Sequence, residues 1–307
     1  MSIAITSIGT ALGEHRMPYD AVQDFEIKRL SYGLPSAPNI MGWDHLHRSD
    51  YDALWLAERA ISELTKNSAD SIRPDHLLLC SSRFSNDFMH GNDLIGSMLD
   101  RLNMSNVPLT GLTLSGCNSL FNGLYAANAM LRSEMADRIL VVTADVSPDE
   151  SKRFDKNCMF SDAASAAVLT RADSSQLRII ELNCGFSRSQ IAGSMFRGDL
   201  TAISEKVSKS LDMYELSVSD LTSIIVPNFY TPIVHMLLNS LKLPVQSRFT
   251  GNATLNAHCF ASDYLIALEE IAKIPSASDE YHLLLGYSDL HHALALVHKK
   301  SDFGTLK

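Results

Sequence analysis

A cysteine stands where an alternating stretch of sequence gives way to a helical one. Residues Leu109–Leu114 alternate with the period of a β-strand, whereas the apolar residues after Cys117 recur at helical spacing. Cys117 is therefore predicted at a strand-to-helix elbow, beside the unpaired N–H groups of the first helical turn. The positive end of a helix dipole favours the thiolate, which is the nucleophilic form of cysteine. This position predicts a nucleophile, and the alternative is a small buried apolar residue.

The composition limits the classes of protein that the chain can represent. The 307 residues carry a formal net charge of -9, which argues against nucleic-acid binding because that function needs a basic surface. The five cysteines are odd in number and form no C-x-x-C pair, so neither a zinc site nor a disulfide framework is expected. The N-terminal stretch has no basic region followed by a long apolar run, so no signal peptide or membrane span is expected. We expect a cytoplasmic protein without a metal or cofactor.

Strands and helices alternate along the chain. The predicted strands are Ile3–Ile8, Leu77–Ser81, Leu109–Leu114, Arg138–Val146, Ser165–Arg171, Arg178–Ser187, Thr222–Asn228, Tyr281–Ser288 and His292–His298. The predicted helices are Tyr51–Leu64, Asp93–Leu102, the segment after Cys117, Leu200–Leu211, Pro232–Leu243 and Ala257–Ile271. Several of these strands are apolar on both faces, as central strands covered by helices are. The alternation predicts an α/β fold.

The order of elements begins again near the middle of the chain, after a polar stretch. The segments that start at Phe160 and at Tyr287 also resemble each other, because both read aromatic-Ser-Asp followed by an apolar strand. We therefore predict two similar halves that pack together, residues 1–174 with the nucleophile and residues 175–307.

The chain resembles the thiolase fold, and more narrowly the ketoacyl synthase III group of condensing enzymes and acyltransferases. Five segments in order carry the resemblance: "LWLAERAISEL", "SGCNSLFNGLYAANAML", "RILVVTADVS" with "MFSDAASAAVLTR", "SVSDLTSIIVPNFYTPIVHMLLNSLKLP" and "AHCFASDYLIALEEI". The resemblance implies a five-layered αβαβα fold built from the two halves. It also implies an acyl group that arrives as a carrier-protein or coenzyme A thioester, and a homodimer.

The same resemblance assigns the catalytic positions. It implies that Cys117 accepts the acyl group. Family members usually have a histidine after "VP", where this chain has Asn228, and His258 stands at the interval of their usual asparagine. A second match for the asparagine is Asn252 in "GN", which requires extra residues before "ALEE", so His258 is preferred. The chain is thus predicted to keep all three residue types with histidine and asparagine exchanged.

Three further residues are predicted to contact substrate. Family members pair through the strand before the nucleophile, which would place Phe88 at the acyl tunnel of the neighbouring subunit; the alternative is a surface-loop aromatic. The backbone of Ser288 occupies a turn that is glycine-rich in the family and contributes to the oxyanion hole there. Asn252 is included as the alternative to His258.

Structural alternatives exist for several of these residues. Asn228 is also explained as a turn residue before a helix, and His258 as a residue that packs or caps its helix. Asp263 is considered an orienting group of lower weight, because its spacing from His258 is poor for one helical face. Asp289 is interpreted as structural, because Asp162 occupies the equivalent position in the other half.

The exchanged pair favours acyl transfer over carbon–carbon condensation. An imidazole beside the thiol takes its proton, and an amide donates to a developing oxyanion. We expect an acyltransferase of secondary or fatty-acid-related metabolism that passes the acyl group from Cys117 to a heteroatom or carbon nucleophile. The alternatives are a non-catalytic subunit of a heteromeric ketosynthase-like complex, a decarboxylative condensing enzyme and an acyl-thioester hydrolase.

Overall fold

A computed structural model describes residues 2–35, 37–66, 72–84, 92–171, 175–188, 198–288 and 290–302. The strands are β1 Ile3–Leu12, β2 His15–Pro18, β3 His45–Arg48, β4 His76–Cys80, β5 Leu109–Leu112, β6 Arg138–Asp145, β7 Ala163–Thr170, β8 Leu177–Phe186, β9 Leu221–Ile225, β10 Glu280–Ser288 and β11 His291–Lys299. The helices are α1 Phe25–Ser31, α2 Pro38–Met41, α3 Ala53–Lys66, α4 Asn92–Arg101, α5 Ser119–Arg132, α6 Leu200–Asp212, α7 Thr231–Ser240, α8 Ala253–Asn256 and α9 Asp263–Lys273. The predicted α/β class is confirmed.

Nine of these strands form one sheet in the order β5-β4-β6-β7-β1-β8-β11-β10-β9. Strands β1 and β8 pair antiparallel at its centre. On one side of the sheet, β1 pairs antiparallel with β7, β7 antiparallel with β6, and β6 parallel with β4. On the other side, β8 pairs antiparallel with β11, β11 antiparallel with β10, and β10 parallel with β9. The two sides of the sheet thus repeat one strand arrangement, while the exact division at residue 174 stays a prediction.

Helices cover this sheet in a layered arrangement. Buried side chains of α3 and α4 pack against one face of β4, β6 and β7. Those of α5 and α9 form a central core with strands from both sides of the sheet, and α6 and α7 contribute to a third core with β9, β10 and β11. The 3-10 turns that precede α5 and α9 contact each other. This contact brings the cysteine and histidine segments together.

Several predicted boundaries differ from the structure, and left-handed backbone explains two of them. The helix predicted from Ala257 begins at Asp263, because Ala257 and Phe260 have φ of 51° and 53° and interrupt the helical conformation. The strand predicted to reach Leu114 ends at Leu112, because Leu114 has a φ of 76° and does not continue the extended conformation. His258 therefore lies on an irregular loop and not on a helix.

The N-terminal part of the chain holds elements that the sequence does not predict. Strands β2 and β3 pair in a separate two-stranded sheet, and Trp43 just before β3 is almost completely buried. Its indole Nε1 donates a hydrogen bond to the backbone oxygen of Asn228 at 3.1 Å. This segment therefore packs directly against a predicted site residue. Within the described ranges, no helix combines the length and apolar character needed to cross a bilayer.

Candidate active site

Cys117 occupies a 3-10 turn, Gly116–Asn118, between β5 and α5, so the predicted strand-to-helix elbow is confirmed. Gly116 has a φ of 55°, and a Cβ at that residue would lie 2.7 Å from the Oγ atom of Ser288. The glycine thus supplies both the left-handed backbone and the space that this turn requires. Cys117 is half-buried, and Ser288 at the end of β10 lies beside its turn.

His258 connects Cys117 to a carboxylate. Its Nε2 atom lies 3.1 Å from Cys117 Sγ, and its Nδ1 atom lies 2.6 Å from Asp263 Oδ2. The carboxylate accepts the Nδ1–H, which leaves Nε2 to exchange a proton with the thiol. The three side chains form a Cys–His–Asp chain of hydrogen bonds with the geometry of a nucleophile, a base and an orienting group.

The carboxylate of Asp263 is held by the backbone around it. It accepts hydrogen bonds from the backbone N–H groups of Asn228 at 2.9 Å and Cys259 at 2.8 Å. Asp263 is also the first residue of α9, where the helix dipole favours a negative charge. These contacts fix the carboxylate in a buried position beside the imidazole.

The charges around His258 favour its protonated form. Burial alone would lower the pKa of the imidazole, but the negative charges of Cys117 and Asp263, together with their hydrogen bonds, raise it to about 10. A protonated His258 at neutral pH places a positive charge 3.1 Å from Cys117 Sγ. Acylation removes the charge on Cys117, so it also removes one of the causes that raise the pKa of His258.

The side-chain amide of Asn228 bonds to groups around His258. Its Nδ2 atom donates to the backbone oxygen of Ala257 at 2.8 Å, and lies 3.4 Å from Asp263 Oδ1. Among the described residues, no hydrogen bond joins this amide to Cys117. Asn228 thus links the carboxylate to the residue that precedes His258.

Another predicted substrate contact, Asn252, has its hydrogen-bond partners away from Cys117. Asn252 is exposed, and its backbone N–H and its amide donate to the carboxylate of Glu270 at 3.1 Å and 3.0 Å. No described hydrogen bond connects it to Cys117. Phe88 and Asp289 lie outside the described residues. The substrate-binding roles of Phe88, Ser288 and Asn252 stay predictions.

Asp162 has a structural environment. It is almost fully buried, and it forms an ion pair with Arg153 at 2.9 Å. It also accepts hydrogen bonds from the backbone N–H groups of Ser49 and Ser147. These contacts join three loops at the start of β7.

Sequence reasoning gave too little weight to Asp263 and overlooked the aromatic residues around the imidazole. Helical spacing was the wrong test for Asp263, because the left-handed residues place His258 outside the helix. The short sequence "HCFASD" contains the histidine, one phenylalanine and the aspartate, and the aspartate stands where a helix begins. That combination is the signal that could have found the carboxylate.

One exposed group of residues elsewhere has the arrangement of a possible cation site. Ligand atoms of Glu14, His15 and Asp50 lie within 4.8 Å of one another, and His15 Nε2 lies 2.7 Å from Asp50 Oδ2. Exposed acidic side chains often cluster in this way without a metal. No contact among the described residues links the group to Cys117.

Comparisons with known proteins agree with this fold. The family model of 3-oxoacyl-[acyl-carrier-protein] synthase III matches residues 113–187, the part of the chain that contains Cys117. A 3-oxoacyl-(acyl carrier protein) synthase III from Pseudomonas aeruginosa PAO1 has 19% sequence identity and a TM-score of 0.72, with 98% of each chain covered. The chain has the thiolase fold of ketoacyl synthase III-like proteins.

Two other thiolase-fold structures widen the range of activities among the neighbours. ChlB3, an acyltransferase, has 20% identity and a TM-score of 0.76, with 98% of each chain covered. An OleA variant from Xanthomonas campestris has 15% identity and a TM-score of 0.75, with 97% of this chain and 98% of that chain covered. No curated protein matches the sequence. Ketoacyl synthase III-like proteins are transferases and condensing enzymes, and the likeness of these structures to the chain described here is one of fold.

Proposed function

We propose that this chain is an acyltransferase that forms an acyl-Cys117 intermediate and passes the acyl group to a hydroxyl or amine. The observation that carries the proposal is the hydrogen-bonded chain from Cys117 Sγ through the imidazole of His258 to Asp263. Such a chain supplies a nucleophile and a base for acyl transfer in two steps. The donor is a carrier-protein or coenzyme A thioester, as the family resemblance implies.

In the first step, the thiolate of Cys117 attacks the carbonyl carbon of the donor thioester. The new bond joins Sγ to that carbon, the carbon–sulfur bond to the donor breaks, and the departing thiolate takes a proton from His258. We assign the N-terminal N–H groups of α5 and the backbone of Ser288, which lies beside the Cys117 turn, as donors to the developing oxyanion. Acylation leaves a neutral imidazole because its proton has left with the donor.

In the second step, that neutral imidazole acts as the base. Nε2 takes the proton of the acceptor hydroxyl or amine as the acceptor heteroatom bonds to the carbonyl carbon. The bond from carbon to Sγ breaks, the acylated acceptor leaves, and the proton stays on Nε2, which restores the thiolate–imidazolium pair. Asp263 stabilises this imidazolium and keeps Nε2 directed at the reacting atoms.

The position of Asn228 argues against decarboxylative condensation. That reaction, as the resemblance implies, uses a histidine and an asparagine that together hold a thioester carbonyl. Here the amide donates to Ala257 and lies beside Asp263, so we assign Asn228 a positioning role. The similarity to ChlB3, an acyltransferase, supports the same choice. A non-catalytic subunit would have no need for a complete Cys–His–Asp chain.

Intact-protein mass spectrometry tests the proposal. The purified chain is exposed to acetyl, butyryl and benzoyl thioesters of coenzyme A and of a carrier protein, and the added mass is mapped to a peptide. We expect one acyl group on Cys117, none on the Cys117→Ala variant and an unchanged result for Cys259→Ala. Loading that survives Cys117→Ala would exclude the assignment of the nucleophile.

We also propose a homodimer, as the resemblance implies. Strand β5 lies at one edge of the described sheet, and Leu114, just beyond it, has an apolar side chain that is 85% exposed. An exposed edge strand is a template for pairing with a second chain. Light scattering at micromolar concentration should give twice the mass of the chain. A monomer would contradict the dimer, and a stable complex formed only with a different chain would favour the subunit alternative.

A further inference from the structure

Three phenyl rings surround the imidazole of His258. The ring centroids of Phe229, Phe160 and Phe260 lie 5.3 Å, 5.5 Å and 5.9 Å from that of the imidazole. His258 is completely buried, although its hydrogen-bond partner Cys117 is half-buried. The base is therefore covered more completely than the nucleophile that it serves.

The backbone fixes two of these rings in place. His258 N donates to Met159 O at 2.8 Å, and Ser161 N donates to His258 O at 2.9 Å, so Phe160 is held beside the histidine. Two residues before Phe160, Cys158 forms a separate β-bridge with Phe229. The segment 158–161 thus pairs with both loops, and these pairings hold Phe160 and Phe229 near the imidazole.

The ring of Phe260 supports that of Phe160. Phe160 and Phe260 stack with their centroids 4.6 Å apart and their planes inclined by 17°. Phe260 is buried, whereas Phe160 and Phe229 are half-buried. Phe160 and Phe229 therefore each have part of their surface accessible, while both rings pack against the imidazole.

This cover has a consequence for the acyl-enzyme. With Nδ1 bonded to Asp263, the imidazole meets a reacting group through Nε2, on the side of Cys117. Phenyl rings offer no strong hydrogen-bond donor or acceptor, so they cannot hold a single water molecule in the position of an acceptor. A larger acceptor can replace that missing polar contact by burying carbon surface against the rings.

We propose that Phe160 and Phe229 are shielding residues that decide between acyl transfer and hydrolysis. They exclude water from Nε2 and select acceptors whose hydroxyl or amine is carried on a skeleton with an apolar face. The inference rests on the proposed acyl-Cys117 intermediate. In the reaction that they suppress, water gives its proton to Nε2 and its oxygen bonds to the carbonyl carbon. The bond to Sγ then breaks, the proton stays on Nε2, and a carboxylic acid leaves.

The test measures how long the acyl-enzyme lasts in water. p-Nitrophenyl acetate transfers its acetyl group to a reactive thiol and releases p-nitrophenol, so it acetylates Cys117 without a natural donor. After gel filtration, intact mass and peptide mapping follow the loss of acetyl from Cys117 in buffer. We expect Phe229→Ala and Phe160→Ala to lose it about tenfold faster than the wild type, because water then reaches the base.

Two further variants separate shielding from folding. Phe229→Leu keeps an apolar cover and should decay at close to the wild-type rate. Tyr281→Ala is the matched control, because Tyr281 is an aromatic residue stacked on a different histidine, His298, at 5.0 Å. It should leave the decay unchanged. Circular dichroism confirms that each variant is folded.

The outcomes distinguish the two proposals. Decay rates for both alanine variants within twofold of the wild type would overturn the shielding role, as would Phe229→Leu decaying as fast as Phe229→Ala. A wild type that p-nitrophenyl acetate acetylates at Cys117 but that no acyl thioester loads would contradict the proposed function alone. A faster loss of acetyl from the alanine variants would still support shielding in that case.

Discussion

The loop that carries Cys117 and the loop that carries His258 have similar backbone conformations but are held in different ways. Each contains two residues with left-handed backbone and a 3-10 turn that leads into a helix. The left-handed residues are Leu114, Gly116, Ala257 and Phe260. The cysteine loop includes a glycine at one such position, whereas the histidine loop uses alanine and phenylalanine at both. Non-glycine residues rarely adopt this conformation, so the surroundings of the histidine loop must impose it.

Those surroundings consist of hydrogen bonds. Both the N–H and the oxygen of His258 bond to the neighbouring 159–161 segment, and its ring bonds to Asp263. The residue before it accepts a hydrogen bond from Asn228. For half-buried Cys117, the side-chain contact that the structure shows is the one with His258. The comparison teaches that several partners hold the backbone and ring of His258, whereas the side chain of Cys117 has one described hydrogen-bond partner.

The largest expected effect comes from removing the base itself. His258→Ala should reduce passage of the acyl group to an acceptor by about 10⁴-fold, the upper range for a positioned general base. Loading of Cys117 should slow but remain detectable, since a thiol still ionises in water. Single-turnover mass spectrometry separates the two steps. Transfer at the normal rate would mean that His258 is structural and that the base lies elsewhere.

Removing the charge of the carboxylate should have the next largest effect. Asp263→Asn keeps the side-chain shape but places an amide opposite Nδ1, which disfavours the productive tautomer and the imidazolium. We expect transfer to fall on the order of 10³-fold. Asp263→Glu is a useful companion, because it keeps the charge and should retain more activity than the amide if charge is what matters. Equal activity in Asp263→Asn and the wild type would show that His258 works without an orienting carboxylate.

Sequence reasoning predicted the architecture better than it predicted the site. Apolar strands and amphipathic helices follow local periodicity, so the α/β order and the elbow at Cys117 could be predicted from residue patterns. The loop around His258 could not, because Ala257 and Phe260 carry no sequence signal for left-handed backbone. The partners that impose this backbone, Met159 and Asn228, are distant in sequence.

The same limit explains the unpredicted N-terminal segment. Trp43 is fixed by burial in a core built largely from the second half of the chain and by a hydrogen bond to Asn228. No local pattern reveals a contact between residues so far apart along the chain. The exchange of histidine and asparagine could be predicted from the family resemblance, but the direction of the Asn228 amide depends on the folded loop.

The amide of Asn228 should contribute less than the groups it supports. Asn228→Ala leaves the oxygen of Ala257 without its donor, and an unsatisfied buried polar group costs about 1–3 kcal/mol. If that free energy is added to the activation barrier of the transfer step, the rate of acyl transfer drops about tenfold to a hundredfold. Asn228→Asp should be worse than alanine, because it brings a second carboxylate next to Asp263. The rates of both variants are compared in the same single-turnover assay. An alanine variant as slow as Asp263→Asn would instead place the amide at the reacting atoms.

The stability of the histidine loop should depend on pH. The pKa of His258 is about 10 in the folded protein, whereas the ordinary value of 6.5 applies to the unfolded chain. Its charge interactions therefore stabilise the fold fully below pH 6.5, and this contribution is lost as the pH rises through about 10. Asp263→Asn should cost about 2 kcal/mol of unfolding free energy near pH 6, and less near pH 10, as measured by urea denaturation. Glu26→Gln, which removes an exposed ion pair with Arg29, should show no such change with pH.

The smallest expected effects come from exchanging glycine and alanine at the positive-φ positions of the two loops. Gly116→Ala places a Cβ on left-handed backbone, which costs about 1–2 kcal/mol, and brings it 2.7 Å from Ser288 Oγ. Ala257→Gly does the reverse at a φ of 51° and a ψ of -150°. Relief of about 1–3 kcal/mol of strain is offset by a lost buried methyl group, about 0.8 kcal/mol, and by the added freedom of glycine in the unfolded chain, about 0.5–1 kcal/mol.

Urea denaturation of these two variants therefore tests the comparison between the loops directly. We expect Gly116→Ala to be less stable than the wild type by at least about 1 kcal/mol, and Ala257→Gly to lie between about 1 kcal/mol less stable and about 2 kcal/mol more stable than it. The acyl-loading rate should follow the same order, because Gly116 adjoins the nucleophile whereas the partners of His258 remain in place when Ala257 is changed. A loss in Ala257→Gly as large as in Gly116→Ala would mean that the alanine methyl group, and not the set of hydrogen bonds, holds the histidine loop.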